Sequence, residues 1–329
     1  MKVAITGAAG FIGSSLAELM VSKHHEVYGI DCINDYYNES FKQYNILELS
    51  KKPGFHFHHH DLTVLKKEEI EDAEIVFHLA GQPGVRNSWG NNFPEYIRDN
   101  IEATQVLLEC VKHSRSLKRL IFASTSSVYG NENELPLTET ARPFPISPYG
   151  VTKLAAENLC RAYSLTYSLP IVCLRYFTVY GPRQRPDMAF HRFFRSGLRG
   201  EKITVFGDGT QTRDFTFIDD IVRATYDAAF ADMADLFTII NVGSGHRILL
   251  NRVLEMIGGI MGKKLSVEYA LEEKGDMQDT CADISRAGEL LSYAPSTELS
   301  DGLEAQYRWM CAHKDILFLS GEQSGKAED

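Results

Sequence analysis

The sequence predicts an α/β protein: a doubly wound parallel sheet followed by a smaller mixed α/β lobe. Three observations predict it. Short apolar runs alternate with helical patterns through the first half of the chain, as in a parallel sheet covered by helices on both faces. Gly7, Gly10 and Gly13 form a turn between the first run and the first helix. Past about residue 177 the alternation gives way to short helices and isolated strands.

Residues 2–6 read as a buried strand that feeds the glycine turn. Ile12, Leu16, Leu19 and Met20 then recur at i, i+4, i+7 and i+8, the apolar stripe of a helix lying on a sheet. Such a turn lets backbone approach a ligand closely and points free helix N–H groups at phosphate. A second strand, 27–30, ends in Asp31, about 20 residues past the turn. That is where a dinucleotide fold places the carboxylate for the adenosine ribose. No Arg or Lys lies between Asp31 and Tyr37, which favours NAD over NADP. The reading is a Rossmann-type fold.

Residues 34–38 read as a loop, 40–49 as a short helix and 55–60 as the third strand. Its histidines, His56, His58, His59 and His60, alternate between faces and make no metal set. Asp61 and Leu62 follow, placed near the adenine. Residues 74–79 form the fourth strand, ending at Leu79, Ala80 and Gly81, where backbone can lie against a cofactor. A long helix is expected over 94–113, carrying Asn100, and the fifth strand over 119–124. A segment with four prolines spans 131–148. A helix follows over 149–167, then a sixth strand over 171–176 that ends in Tyr176. Asp208-Gly209 signals a hairpin. Short helices are expected at 220–230, 250–261 and 299–313, and isolated strands at 239–242 and 265–269. The expected division is a dinucleotide-binding domain over 1–176, with 214–240 crossing back, a substrate lobe over 177–315 and a flexible tail over 316–329.

Tyr149 and Lys153 lie four residues apart, on one helical face, and Thr125, Ser126 and Ser127 follow the fifth strand. A tyrosine acting as a base must drop from a pKa of about 10 to ~7, roughly 4 kcal/mol. A nearby ammonium and a positive nicotinamide ring both favour the phenolate. Thr125 would align the reacting hydroxyl. Taken alone, a Tyr four residues before a Lys is common and reads more readily as a packed tyrosine and a solvated lysine.

The glycine turn, the Thr125 segment and the Tyr149-x-x-x-Lys153 spacing together resemble the extended short-chain dehydrogenase/reductase family, in particular its nucleotide-sugar epimerases and dehydratases. The likeness runs from Met1 to about His313. Residues 84–89, 124–130 and especially 177–188 are most similar to family members acting on UDP-glucuronate. The resemblance implies bound, recycled NAD and 4-epimerisation of a UDP-sugar, UDP-glucuronate to UDP-galacturonate, through a transient 4-keto sugar. Thr125, Tyr149 and Lys153 would be catalytic. Gly7, Gly10, Phe11, Ile12, Gly13, Asp31, Asp61, Leu62, Leu79, Ala80, Gly81, Asn100 and Tyr176 would contact the cofactor together with Tyr149 and Lys153. Ser126, Ser127, Thr178, Arg185, Met188, Phe206, Arg213 and Asp276 would contact substrate. Related dehydratases carry an Asp-Glu pair where Ser126 and Ser127 stand, and serines cannot do that acid–base work at neutral pH. Decarboxylases typically carry Glu at the second position.

Arg185 is expected to grip the sugar carboxylate through two guanidinium nitrogens, aided by Thr178. A surface arginine on a proline-rich loop is the alternative. Arg213 would meet the diphosphate, or else pair with Asp214. Lys274, Gly275 and Asp276 match the family's uridine-ribose loop without its usual proline. Arg86 is left open between ligand and loop. The remaining alternatives are a UDP-glucose or UDP-N-acetylhexosamine 4-epimerase, a uronate decarboxylase, a net dehydrogenase releasing NADH, and a silent NAD-binding scaffold.

The bulk composition is that of an ordinary globular chain of 329 residues, 44% of them hydrophobic. A net charge of −10 and a pI near 5.6 argue against nucleic acid and anionic membrane as partners. Six scattered cysteines without a C-x-x-C pair read as reduced thiols, and no leader is recognisable, so a cytoplasmic protein is expected. By resemblance, helices 94–113 and 149–167 would form a four-helix homodimer interface; a helix facing only its own core is the alternative.

Overall fold

The structure is a computed structural model that describes residues 1–131, 134–271, 273 and 275–318. Its centre is a seven-stranded, wholly parallel sheet whose strands lie, from edge to edge, in the order Phe237–Val242, Ile171–Tyr176, Arg119–Thr125, Ile75–His78, Lys2–Thr6, Glu26–Asp31, Phe55–His59. The first five strands are β1 (Lys2–Thr6), β2 (Glu26–Asp31), β3 (Phe55–His59), β4 (Ile75–His78) and β5 (Arg119–Thr125); β6 (Ile171–Tyr176) extends the sheet. Alternation sorts their side chains onto two cores. Val3, Ile5, Phe77 and Ile121 face one core, Ala4, Val76, Leu120 and Phe122 the other. Every residue of β4 and β6 is buried, as expected of strands covered on both sides.

Helices α1 (Phe11–Ser22) and α2 (Glu39–Ser50) lie on the first face. The expected single helix over 94–113 is instead three pieces: α3 (Phe93–Tyr96), a π-helical stretch Ile97–Glu102, and α4 (Ala103–Val111). Asn100 lies in the wide stretch with its amide fully engaged, by Gln82 on one side and Thr152 on the other. Helix α5 (Pro148–Tyr167) covers the second face, its N-terminus capped by the Ser147 hydroxyl on Gly150 N–H at 3.1 Å.

Beyond β6 the chain runs through β7 (Thr178–Tyr180), α6 (Ala189–Arg199), β8 (Ile203–Phe206), β9 (Thr212–Arg213), β10 (Phe215–Phe217), α7 (Ile218–Phe230), β11 (Phe237–Val242), β12 (Ile248–Leu249), α8 (Leu250–Ile260), β13 (Val267–Ala270), α9 (Ser285–Leu291), α10 (Leu299–Ala312) and α11 (Lys314–Phe318). Three expectations change here. Asp208-Gly209 is a turn but not a hairpin: Asp208 caps Thr210 N–H at 2.9 Å, β8 pairs in parallel with β13, and β9 pairs with β12. Ile203 and Val205 are buried on one face of β8, and its parallel partner β13 follows α8 in the chain. Strand 239–242 is not isolated, because β11 is the edge of the main sheet beside β6. The expected tail over 316–329 begins inside α11; residues 319–329 lie outside the described residues. Helix α6 was not anticipated, although Phe190, Phe193, Phe194 and Gly197 are buried at helical spacing.

The third-strand histidines go separate ways: His56 lies 3.6 Å from Glu26, His60 3.5 Å from Glu69, and His59 Nε2 contacts the Cys32 carbonyl at 2.9 Å. Among the described residues no helix is long and apolar enough to cross a membrane.

Candidate active site

A cavity of about 410 Å³ opens at the carboxyl ends of the strands. Its floor is the glycine turn. Gly7 has φ +73°, and a Cβ there would lie 2.7 Å from Ala80 N; a Cβ on Gly13 would stand 2.0 Å from Gly7 O. Only glycine permits this close crossing of turn, helix and β4 loop. The N-terminus of α1 has no side-chain cap and no acid in its first turn, so its N–H groups and dipole are available to an anion. Gly10, Phe11, Ile12 and Gly13 all line the cavity.

Asp31 is fixed at the end of β2 by Ala9 N–H (3.0 Å) and Ile33 N–H (2.8 Å). Asp61 accepts from Thr63 N–H and Oγ1, and lines the wall with Leu62, Leu79, Ala80 and Gly81. Sequence reading missed Lys42. It reaches the same wall from α2, donates to Asn34 O at 2.8 Å and to Asn34 Oδ1, and lies 4.7 Å above the Tyr37 ring. The gap in basic residues over 31–37 therefore does not leave Asp31 without a neighbouring cation, because helix α2 folds one back.

Asn100 is buried behind the wall, where it holds Gln82 N–H and O and Thr152 Oγ1. His78 serves the same loop. Thr104 donates to Asn100 O, so His78 Nε2 must donate to Thr104 Oγ1 and Nδ1 must accept from Thr6 Oγ1, which in turn takes Ala80 N–H. Burial pushes His78 down to about 3, consistent with this neutral tautomer.

Thr125, Ser126, Ser127, Tyr149, Tyr176, Thr178, Arg185, Met188, Arg213 and Asp276 all line the same cavity. Thr125 Oγ1 donates to Ser127 Oγ at 3.2 Å and accepts Ser127 N–H at 3.1 Å. The Tyr176 hydroxyl turns to Thr225 at 2.8 Å, so its ring is the part left for the cavity. Lys153 is buried just behind the wall. Its Nζ sits 4.3 Å from the Phe122 ring centre and 3.8 Å from where a Gly81 Cβ would be, with no salt bridge among the described residues, and burial brings it down to about 8. Burial also pushes the Tyr149 phenol up, while the Arg185 charge and the Thr125 hydroxyl pull it back. Arg185 thus adds a second positive charge near Tyr149, beside the Lys153 to which the sequence pointed.

Arg185 itself departs from expectation. Nε and Nη2 already grip Asp187 at 3.0 and 2.9 Å, so the bidentate edge reserved for a sugar carboxylate holds one of the chain's own. Nη1 remains. Arg213 does not pair with Asp214. Its Nη1 donates to Thr212 O and Gln278 O, both at 2.9 Å, and Asp214 is buried under the N–H groups of Ser244, Gly245 and Ala282. Asp276 accepts from Arg86 Nη2 at 2.7 Å, which gives the undecided arginine a partner across the cavity mouth. Lys274 lies outside the described residues.

Phe206 stands apart from this cavity, in an adjoining one of about 1380 Å³ that shares Tyr36, Tyr37, Gly84, Val85 and Asp276 with it. Arg86 lies 4.2 Å and Arg192 5.8 Å from the centre of its ring. Arg192, Arg195 and Arg199 line this second space from α6. Their i, i+3, i+7 spacing would have exposed them once the helix was recognised.

The donor set fits a dinucleotide beside a sugar nucleotide. An uncapped helix N-terminus crossed by side-chain-free backbone suits pyrophosphate, and Asp31 suits ribose hydroxyls. The arginine-rich annex suits a second diphosphate.

Comparisons with known proteins agree. Residues 3–243 match the model of the NAD dependent epimerase/dehydratase family. A Bacillus subtilis (strain 168) protein described as an uncharacterized UDP-glucose epimerase, YtcB, is 44% identical over 94% of this chain and 98% of its own length. The UDP-glucuronate 4-epimerase of Thermodesulfobacterium geofontis (strain OPF15) is 40% identical, covering 95% and 97%. The crystal structure of UDP-glucuronic acid 4-epimerase from Bacillus cereus, in complex with UDP-glucuronic acid and NAD, superposes with a TM-score of 0.91 at 43% identity, covering 95% of this chain and 99% of that one. On its glycine turn, the Tyr149 and Lys153 pair on α5 and these likenesses together, the chain belongs to the NAD dependent epimerase/dehydratase family.

Proposed function

We propose that this chain is an NAD-dependent UDP-sugar 4-epimerase whose substrate pair is UDP-glucuronate and UDP-galacturonate. One observation carries the reading: Tyr149, Thr125, the two serines and Arg185 converge on the same cavity as the glycine turn and Asp31. Tyr149 takes the proton of the sugar 4-OH and later returns it. Thr125 aligns that hydroxyl, and Lys153, buried beside Gly81, supplies positive charge behind the cofactor site. Bound NAD supplies reversible hydride acceptance at C4, giving a transient 4-keto sugar and no net redox change. Gly7, Gly10, Phe11, Ile12 and Gly13 hold the pyrophosphate, Asp31 the ribose, and Asp61 and Leu62 the adenine. Leu79, Ala80, Gly81 and Tyr176 wall the nicotinamide side, and Asn100 acts from behind through Gln82.

Ser126 and Ser127 hold the uronate without the acid–base power that dehydration needs. Arg185 Nη1, Thr178 and Met188 complete the sugar site. Arg213, Phe206 and Asp276 receive the UDP part, Asp276 once it leaves Arg86. A 4-keto uronate loses CO2 readily, so a firmly held carboxylate favours epimerisation over decarboxylation. The second lobe closes the pocket over an intermediate that must turn without escaping. That lobe spans 177–315 except where 214–240 returns to the dinucleotide-binding domain.

A second reading, a UDP-glucose 4-epimerase, is favoured by one feature: Asp187 already neutralises Arg185. Proton NMR of the purified protein with UDP-glucuronate and with UDP-glucose, no NAD added, decides between them. Growth of UDP-galacturonate supports the proposal. UDP-galactose alone favours the second reading, and UDP-pentose with CO2 overturns the assignment of the serines.

The assembly proposed is a homodimer through the helices around 97–111 and α5. Ile97, Val151 and Leu165 are exposed there at 42%, 47% and 63%. The six free thiols fit a cytoplasmic setting.

A further inference from the structure

Glu157 lies one turn past Lys153 on α5 and is 3% exposed. Oε1 accepts Arg175 Nε at 2.9 Å and the Ser124 hydroxyl, and Oε2 accepts Arg175 Nη2 at 2.7 Å. Ser124 immediately precedes Thr125 on β5, and Arg175 immediately precedes Tyr176 on β6. Arg175 lies 4.7 Å over the Tyr129 ring, whose hydroxyl donates to Asn241 Oδ1 on β11 at 2.6 Å. One carboxylate thus ties together the three elements that carry Thr125, Tyr149, Lys153 and Tyr176.

From this geometry we infer that Glu157 is a positioning residue of the reaction: it sets the Thr125 hydroxyl relative to Tyr149 and keeps Lys153 charged. The inference rests on the roles proposed above for those three residues. Among the described residues the other ionisable groups acting on Lys153 are Cys160 on its own helix, whose influence ranks ahead of that of Glu157, Cys173 on β6 and His78 on β4. Glu157 is the only carboxylate among them. It opposes the burial that brings Lys153 down to about 8. A purely structural salt bridge would be replaceable by a neutral pair of similar volume; a positioning residue would not.

The test uses the NAD-loaded enzyme labelled with 15N-lysine. The Lys153 Nζ resonance is assigned by its loss in Lys153→Met. Glu157→Gln alone leaves Arg175 buried and unpaired, so the informative variant is the double change Glu157→Gln with Arg175→Met. Its Lys153 titration is expected about half a pH unit or more below the wild type. Coincident titrations would overturn the charge role. Ser124→Ala, which removes one hydrogen bond and no charge, is expected to lower kcat about tenfold with KM unchanged. An unchanged kcat would overturn the positioning role. If the wild type turns over no UDP-sugar, the proposed function fails, and the titration still decides whether Glu157 sets the charge of Lys153.

Discussion

The two sides of the cavity are built on different principles. On the side proposed for the dinucleotide the surface is mostly backbone: a glycine turn, an uncapped helix end and a loop held by His78 and Asn100. On the side proposed for the sugar nucleotide it is mostly charge, and the charges are already engaged, Arg185 with Asp187 and Arg86 with Asp276. A preorganised backbone surface needs little rearrangement to bind. A surface of internal ion pairs must exchange partners, so affinity there is a difference between two sets of salt bridges. The first side suits a cofactor that stays, and the second a substrate that must leave.

The largest expected effect lies where the two sides meet. Tyr149→Phe should lower kcat by about 10³-fold while the protein still purifies with NAD, since only the proton transfer is lost. Steady-state rates and the cofactor content of the purified variant check this. A similar loss of NAD would mean that Tyr149 belongs to the backbone side.

Next comes the turn itself. Gly13→Ala sets a methyl 2.0 Å from Gly7 O, so it should cost about 2–3 kcal/mol of stability and release the cofactor. Thermal unfolding and absorbance of released dinucleotide read both effects. Arg185→Ala should act on the charged side alone, weakening UDP-glucuronate by about 10- to 100-fold in KM and UDP-glucose far less. Equal losses for both sugars would mean that Asp187, and not substrate, is the true partner of Arg185.

The pH dependences separate the sides further. Lys153 is brought down to about 8, so turnover should fall as pH rises through 8 and the ammonium is lost. For stability the sign is reversed: above 8 the folded protein no longer confines a buried charge, so this group's penalty is relieved between pH 8 and about 10.4. His78 and His191 are held neutral, pushed down to about 3 and about 4. Below pH ~6.5 the unfolded chain binds protons that the folded one refuses, so each costs about 1 kcal/mol over the first unit of acidification. Denaturant midpoints between pH 5.5 and 7.5 check this smallest effect, which should flatten in Thr6→Val with His78→Leu.

The same contrast explains what was legible in the sequence. Strand periodicity, the glycine spacing and Asp31 are local, and each fell where expected. The Tyr149-x-x-x-Lys153 face was legible too, but not that Lys153 would be sealed behind Gly81 or that Arg185 would line the same cavity as Tyr149. Lys42, the Arg86–Asp276 pair and the β8–β13 pairing join residues far apart in the chain, and no local pattern encodes them. The π-helical stretch escaped because no local pattern marks it: the Asn100 amide within it is held by Gln82 and Thr152, 18 and 52 residues away. Helix α6, with its arginine row, was readable from its phenylalanines.

The central claim is that one cavity oxidises and re-reduces the same sugar carbon. The most direct measurement supplies UDP-glucuronate deuterated at C4 and follows the label in the product by NMR. The account predicts UDP-galacturonate with deuterium kept at C4 and none exchanged with water. Label lost to solvent, or product formed with oxygen exchanged at C4, would contradict it.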